Sequence, residues 1–401
     1  MKLIKLTTLK IFYSLITAFS TDGNYLAYES MNDQLILLLN NLQIHNFHTD
    51  ELDKIRMRLA TNQEYNLETI KECYNELESL INPSELNDKE FILETIDKAK
   101  RRIGGMKQHG FYWHVLSNLI KNEFSGDEQL LNNYNRGKIT FYNDAEDNSF
   151  DYTLEIRDGI LIKNNKPFNK PITTNREAIY VETPYFLDFK VPFSQITIPG
   201  KKPYHQMLLY KKLTDQSSKS DILDDLHNED IIQFQEKVNN MTEGSFNFDN
   251  LGFLEFKQDG KTFHLQNTSS GIKAIGMIQL LLENRKLKEN SYLIMDEPEV
   301  HLHPEWQVKL AQILISLVKD LNVNLFINSH SPQFIEAMEV YSIKYGLREE
   351  TKFYLTKKDE NNEKYNVEKI EYDNLFELYS NLGDPYDIID QVRGENLANR
   401  L

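Results

Sequence analysis

Two adjacent acids, Asp296 and Glu297, follow the short apolar run Tyr292-Leu293-Ile294-Met295. Such a run reads as a buried parallel strand, and the carboxyl end of that strand is where an open α/β sheet collects its polar residues. There one carboxylate can hold a hydrated Mg²⁺ and the other a water, because a hard cation takes oxygen ligands. An acidic pair at a strand end is also an ordinary feature, so the pair by itself decides little. A second apolar run, Val323 to Ile327, predicts another buried strand and ends in Asn328-Ser329-His330. Upstream, Ser269 and Ser270 precede a helix with Ile272, Ile275, Ile278 and Leu282 on its apolar face, which puts a hydroxyl residue at the N-cap. His301 and His303 form an H-x-H pair, but no third ligand is spaced to complete a zinc site with them.

The elements that must position these groups can be read outward from them. Pro304 suits the first turn of a helix whose buried face is Trp306, Leu310, Ile313, Leu314, Leu317 and Val318. Strand, helix and strand then form a βαβ unit, which is right-handed almost without exception. Farther upstream, Phe253 to Phe256 and Thr262 to Leu265 flank Asp259-Gly260, a hairpin signal. Helices are predicted around His205 to Thr214 and Asp221 to Met241, with Gln216-Ser217-Ser218-Lys219-Ser220 as the linker. From Lys138 to Leu187 the pattern is short strands (Ile139 to Tyr142, Tyr152 to Ile156, Ala178 to Val181) in a partly antiparallel sheet.

Between Asp50 and Lys107 the chain reads as a charged helical arm. Leu67, Ile70, Cys73, Tyr74, Leu77, Leu80 and Ile81 make an apolar stripe, Asn82-Pro83-Ser84 breaks it, and a second helix runs through Phe91, Ile92 and Ile96. The first twenty residues imitate a signal peptide. Leu9, Phe12, Ile16 and Phe19 nevertheless fall at helical spacing around Lys10, which suits an amphipathic helix entering a folded core.

Composition narrows the function classes. With 45 Lys+Arg against 61 Asp+Glu the formal net charge is −16, which disfavours a uniformly basic nucleic-acid coat and leaves only a local basic groove open. Lys100-Arg101-Arg102 and Lys201-Lys202 are too short to establish DNA binding. The single cysteine, Cys73, excludes an internal disulfide and a cysteine-based zinc cluster, in keeping with a reducing, cytoplasmic setting. No apolar run approaches the roughly 18 to 20 residues that span a bilayer, so no membrane partner is expected.

The string Tyr292-Leu293-Ile294-Met295-Asp296-Glu297-Pro298-Glu299-Val300-His301-Leu302-His303-Pro304 resembles the Walker B and D-loop segment of ATP-binding-cassette-like ATPases. It is closest in kind to the AAA-family branch related to overcoming-lysogenization-defect (OLD) and RecF-type proteins. Ser329-His330-Ser331-Pro332 resembles that branch's switch histidine, and Asn267-Thr268-Ser269-Ser270-Gly271-Ile272-Lys273 its signature motif. The tail from Leu375 to Asp390, with Tyr379, Leu382-Gly383-Asp384-Pro385 and Asp387, is similar to the branch as well. The resemblance runs from Gly252 to Asp390.

What the resemblance implies is an α/β, ABC-like P-loop ATPase fold with an incomplete N-terminus and a helical insertion, acting on ATP with Mg²⁺. Asp296 would orient Mg²⁺ through water, Glu297 would act as general base, and His330 would contact the γ-phosphate. Ser269, Ser270, Gly271 and Lys273 would reach the nucleotide of the opposite subunit, and His303 would lie in the D-loop at that interface, which requires a homodimer. The plainer alternatives are a serine N-cap and a hydrogen-bonded strand-end histidine. The corresponding layout is an N-terminal ATPase remnant over 1–49, a helical arm over 50–137, mixed sheet and helices over 138–265, and the motif-bearing lobe over 266–401.

One part of the pattern is missing. No G-x-x-x-x-G-K-[ST] string occurs in the chain, and Lys5-Leu6-Thr7-Thr8-Leu9-Lys10-Ile11-Phe12 resembles the family's G-K-[ST]-[ST] stretch with the helix after it. In one register Leu6 replaces the Mg²⁺-binding hydroxyl; in the other it replaces the lysine. The chain is then either a shortened reading frame of an active ATPase or a natural pseudo-ATPase, and in both cases weak ATP binding and little hydrolysis are expected. With no nuclease domain visible after His330, a nuclease or other effector would be a separate chain. Related ATPases act in phage defence or DNA transactions, and the helical arm suits either a partner or nucleic-acid clamp or a solvated insertion.

Overall fold

The computed structural model describes chiefly residues 50–60, 67–82, 89–104, 136–143, 150–157, 160–162, 177–182, 204–214, 244–248, 254–264, 267–358 and 365–380, with a few isolated positions besides. The signal-peptide-like segment, apart from Tyr13, and the Lys5 to Phe12 string lie outside the described residues, as do Lys201-Lys202 and the tail beyond Leu382. The chain divides into two compact units, one made of 1–10 and 178–401, the other of 11–177.

The second unit holds three helices, α1 (Asp50–Ala60), α2 (Leu67–Ile81) and α3 (Lys89–Gly104). The apolar stripe read from the sequence becomes a core in which Ile70, Cys73, Tyr74, Leu77 and Ile81 of α2 meet Ile55, Leu59, Ile92 and Ile96. Helix α2 stops at Ile81, where Asn82 N–H donates to Glu78 O and Ser84 N–H to Ile81 O, ahead of a proline that has no N–H to continue the ladder. Phe91, by contrast, points outward and is 69% exposed. Two members of the basic cluster pair inside this helical group: Lys100 Nζ bridges to Glu78 Oε2 at 2.5 Å and Arg101 pairs with Asp97.

The same unit contains an antiparallel sheet of β1 (Arg136–Asn143), β2 (Phe150–Arg157) and β3 (Ile160–Ile162). The expected strand at Ala178 to Val181 exists as β4 but does not join that sheet. It pairs in parallel with the Walker-B-like strand β8 (Tyr292–Asp296), Ala178 opposite Tyr292 and Val181 opposite Met295. The physical reason is burial. All four residues of β4 are buried, and an apolar run with both faces covered belongs inside a parallel sheet.

In the first unit, helix α4 (Tyr204–Thr214) follows β4, and β5 (Ser245–Phe248), β6 (Leu254–Gln258) and β7 (Lys261–His264) form an antiparallel sheet. The β6–β7 turn is Asp259-Gly260, with φ of 51° and 73°, the left-handed pair that a two-residue hairpin of strand-matching twist requires. Helix α5 (Ser270–Glu283) precedes β8, helix α6 (Pro304–Leu321) links it to β9 (Asn324–Asn328), and α7 (Pro332–Lys344) follows. Strands β4, β8 and β9 lie side by side and parallel, so the predicted βαβ unit is β8–α6–β9.

Helix α6 starts at Pro304 under the His303 cap and ends on Asn322, whose φ of 51° is the left-handed stop. Its Leu310, Ile313, Leu314 and Leu317 pack with Ile275 and Ile278 of α5, Leu293 and Met295 of β8 and Phe334 of α7 in one core. Strand β9 departs from the sequence expectation of a buried strand. Leu325 and Ile327 pack against the core, whereas Phe326 is 39% exposed, because alternate residues face opposite sides and, among the described residues, only one side of β9 packs on the core. The chain closes with the antiparallel hairpin β10 (Phe353–Lys358) and β11 (Tyr365–Ile370).

Candidate functional site

The parallel register sets the site. Because Asp296 of β8 lies opposite Asn328 of β9, the ends of the two strands bring the acidic pair and the Ser329-His330 turn to one sheet edge. Asp296 is 8% exposed, and Asn328 Nδ2 donates to its Oδ1 at 3.2 Å. The next residue leaves the strand sharply: Glu297 has φ of 46°, and its N–H donates to Asn328 O at 2.9 Å. A non-glycine residue in that region is held there by its surroundings, a form of strain that gathers at functional sites. The effect is to turn the Glu297 side chain toward His330, whose Nε2 lies 3.1 Å from Glu297 Oε1.

Two residues farther on, Glu299 is 3% exposed and was not singled out by the sequence reading. Its Oε1 accepts from Ser329 Oγ at 2.5 Å, from His330 N–H at 3.1 Å and from Ser331 N–H at 3.3 Å. Its other oxygen, Oε2, is buried and has no hydrogen-bond partner among the described residues. The turn is held from the far side too. Ser331 Oγ donates to Gln307 Oε1 at 2.6 Å, and Gln307 Nε2 donates to Leu302 O at 3.2 Å. In the sequence Glu299 is one more acid in Asp296-Glu297-Pro298-Glu299, and no local signal sets it apart.

The signature-like segment divides its labour between two serines. Ser269 is the N-cap of α5, its hydroxyl accepting from Ile272 N–H at 3.3 Å. Ser270 Oγ instead donates to His301 O at 2.7 Å, tying the start of α5 to the D-loop-like turn. Gly271 sits under Trp306: a β-carbon there would come within 3.1 Å of the indole ring, a tight contact that the ring would have to relieve by shifting a few tenths of an ångström. Lys273 is buried, at 4% exposure, and its N–H donates to Ser269 O within the helix. His303 caps α6, with Nδ1 accepting from Glu305 N–H at 3.4 Å, and His301 is exposed with φ of 65°. Among the described residues no three His, Cys, Asp or Glu are grouped to hold a metal ion.

Chemically, the sheet edge offers a buried carboxylate with oxygen donors, a second carboxylate next to it, and an imidazole in contact with the second. Asp296 fits a hard cation that keeps most of its waters and takes phosphate oxygens as its other ligands, which is how Mg²⁺ binds with nucleotides. Glu297, with His330 at hydrogen-bond distance, fits the positioning of a water.

Residues 119–336 match the family model described as an AAA domain, putative AbiEii toxin, Type IV TA system. No curated protein matches the chain. Among solved structures, the chain is similar to the Smc head domain with an extended coiled coil bound to the C-terminal domain of ScpA, from Pyrococcus furiosus. That similarity is 11% identity over 98% of this chain and 60% of the other, with a TM-score of 0.22, too low to carry an argument. The chain thus spans less than two thirds of that protein's length. No helix among the described residues is long and apolar enough to cross a membrane. With more than half of its 401 residues covered by the family model, the chain belongs to this AAA-domain family of ATP-binding ATPases.

Proposed function

We propose that the sheet edge at Asp296, Glu297 and His330 hydrolyses the terminal phosphoanhydride of ATP. The observation that carries this reading is the Glu297–His330 contact at 3.1 Å, built by a left-handed residue at the end of the buried strand. Asp296 would hold Mg²⁺ through water, with Asn328 fixing the carboxylate's orientation. When bound, the cation would draw off charge from the phosphate oxygens as the γ-phosphoryl group leaves. Glu297 takes a proton from the attacking water while His330 steadies Glu297; the water oxygen bonds to the γ-phosphorus as the bond from that phosphorus to the bridging oxygen breaks, its electron pair leaving on ADP, and phosphate results.

The resemblance to the OLD and RecF-type branch supports a homodimer in which Ser269, Ser270 and Gly271 face the partner's nucleotide and His303 lies at the interface, whereas Lys273, also expected there, is buried within its own chain at 4% exposure. Ser270 is not the helix cap, and its hydroxyl would have to exchange its bond to His301 O for one to the phosphate. The family description names a putative toxin of a type IV toxin–antitoxin system; phage defence, with a separate nuclease or effector chain as the partner, is the setting that the resemblance to the OLD and RecF-type branch supports. DNA transactions are the other setting this branch serves.

A second reading, a pseudo-ATPase scaffold that binds a partner protein without turnover, is favoured by one observation: no G-x-x-x-x-G-K-[ST] string occurs in the 401 residues. Without that loop, the nest of backbone N–H groups around the β- and γ-phosphates is lost. A calorimetric titration with Mg-ATP, beside the Asp296→Ala variant, separates the two. Saturable binding that the variant loses, followed by phosphate release, supports the ATPase. No binding by the unaltered chain rejects it in favour of the scaffold.

A further inference from the structure

Glu299 is a buried carboxyl group that the reaction just described does not use. It lies on a tight turn, where Val300 N–H donates to Glu297 O and Leu302 N–H donates to Glu299 O, both at 3.0 Å. Its Oε1 gathers three donors from consecutive residues, Ser329, His330 and Ser331. The middle residue of the three is the one whose ring meets Glu297. A closed circuit results: Glu297 leads through Pro298 to Glu299, Glu299 grips the His330 backbone, and the His330 ring returns to Glu297. Burying a carboxyl group with one oxygen unpartnered among the described residues costs stability, and such costs are retained where geometry matters more than stability.

We propose that Glu299 is the positioning residue of this site: by its reach it holds the Ser329–Ser331 turn where the His330 ring meets Glu297. The inference rests on the reading of Glu297 and His330 as the working pair. What it adds is that the length of the Glu299 side chain, rather than its charge, sets that pair. Three donors converging on one oxygen need an acceptor at one place, and a neutral amide oxygen at that place serves them as well. An aspartate keeps the charge, but its carboxyl group is one methylene short of the turn.

The test compares Glu299→Gln with Glu299→Asp in the full chain, and neither substitution empties the site. Two readouts are taken: steady-state Mg-ATP hydrolysis, and the His330 ring signals in NMR spectra at fixed pH, identified by their loss in His330→Gln. We expect Glu299→Gln to lose less than about threefold in kcat and to keep the His330 ring signals near their original positions. Glu299→Asp should lose about 100-fold in kcat at little change in KM, the scale of an ångström of misplacement, with the ring signals displaced. The reverse order, with Asp retained and Gln lost, would show that charge is what matters and overturn the proposal. Equal behaviour of the two variants in both readouts would overturn it as well. If the unaltered chain shows no turnover, the ATPase reading fails by itself, and the ring signals alone decide the positioning role: displacement in Asp but not in Gln upholds it, and any other pattern rejects it.

Discussion

His330 Nε2 meets Glu297 Oε1 at 3.1 Å although a whole helix and a strand separate the two residues along the chain. The contact is made by the parallel register of β8 and β9 and by the left-handed turn at Glu297. Glu297→Gln and His330→Ala should each lower phosphate release by about 100-fold or more, the usual range for a group that handles the proton. Because the two act as a pair, the double variant should lose much less than the product of the single losses. Fully multiplicative losses would show that they work independently.

Ser269 and Ser270 are neighbours with different tasks. Ser269→Ala removes the α5 cap and should cost about 1 kcal/mol in urea unfolding, as lost caps do. Ser270→Ala removes only the hydrogen bond to His301 O and should cost less than that, while lowering nucleotide-dependent dimerisation in a concentration series. A larger stability loss at Ser270 than at Ser269 would reverse this assignment.

Gly276 lies inside α5 with the Phe246 ring against it, and a β-carbon built there would stand 2.0 Å from the ring. Phe246 is itself packed on Phe256, with ring centroids 5.0 Å apart, so it has little room to retreat. Alanine would gain about 1 kcal/mol in helix propensity and lose about 1–3 kcal/mol to overpacking. Gly276→Ala should therefore lower the urea midpoint. A raised midpoint would mean that the ring swings aside freely.

Cys73 sits in the helical core of the second unit at 0% exposure. Burial pushes its thiol above the usual cysteine range, and the nearby Arg58 only partly offsets this. The thiolate is the reactive form, so alkylation of the native protein at pH 8 should be far slower than in denaturant. Since the folded pKa is raised, the stability it confers is present at neutral pH. It is lost as the pH climbs past about 8.5, where the unfolded thiol ionises first. Equal labelling rates in native and denatured protein would contradict the burial.

Sequence and tertiary structure contributed different parts of this molecule. Helices α2, α5 and α6, the Asp259-Gly260 hairpin, and the strands on either side of α6 were legible from the chain, because capping, apolar period and turn chemistry act over a few residues. The positions of Asp296, Glu297 and His330 at strand ends followed from the same local patterns, while their expected roles came from resemblance. Strand partnership did not follow. Ala178 to Val181 reads like the antiparallel strands before it, and only pairing with β8, distant in sequence, shows it to be part of the central sheet. The open face of β9 depends on what covers it, which no local pattern records. Glu299 is the sharpest case: its sequence neighbours mark it as one more acid in an acidic stretch, whereas its burial and its three donors come from a turn across the sheet. A carboxyl group's surroundings are set by long-range packing, so its task in this protein was decided by the tertiary structure alone.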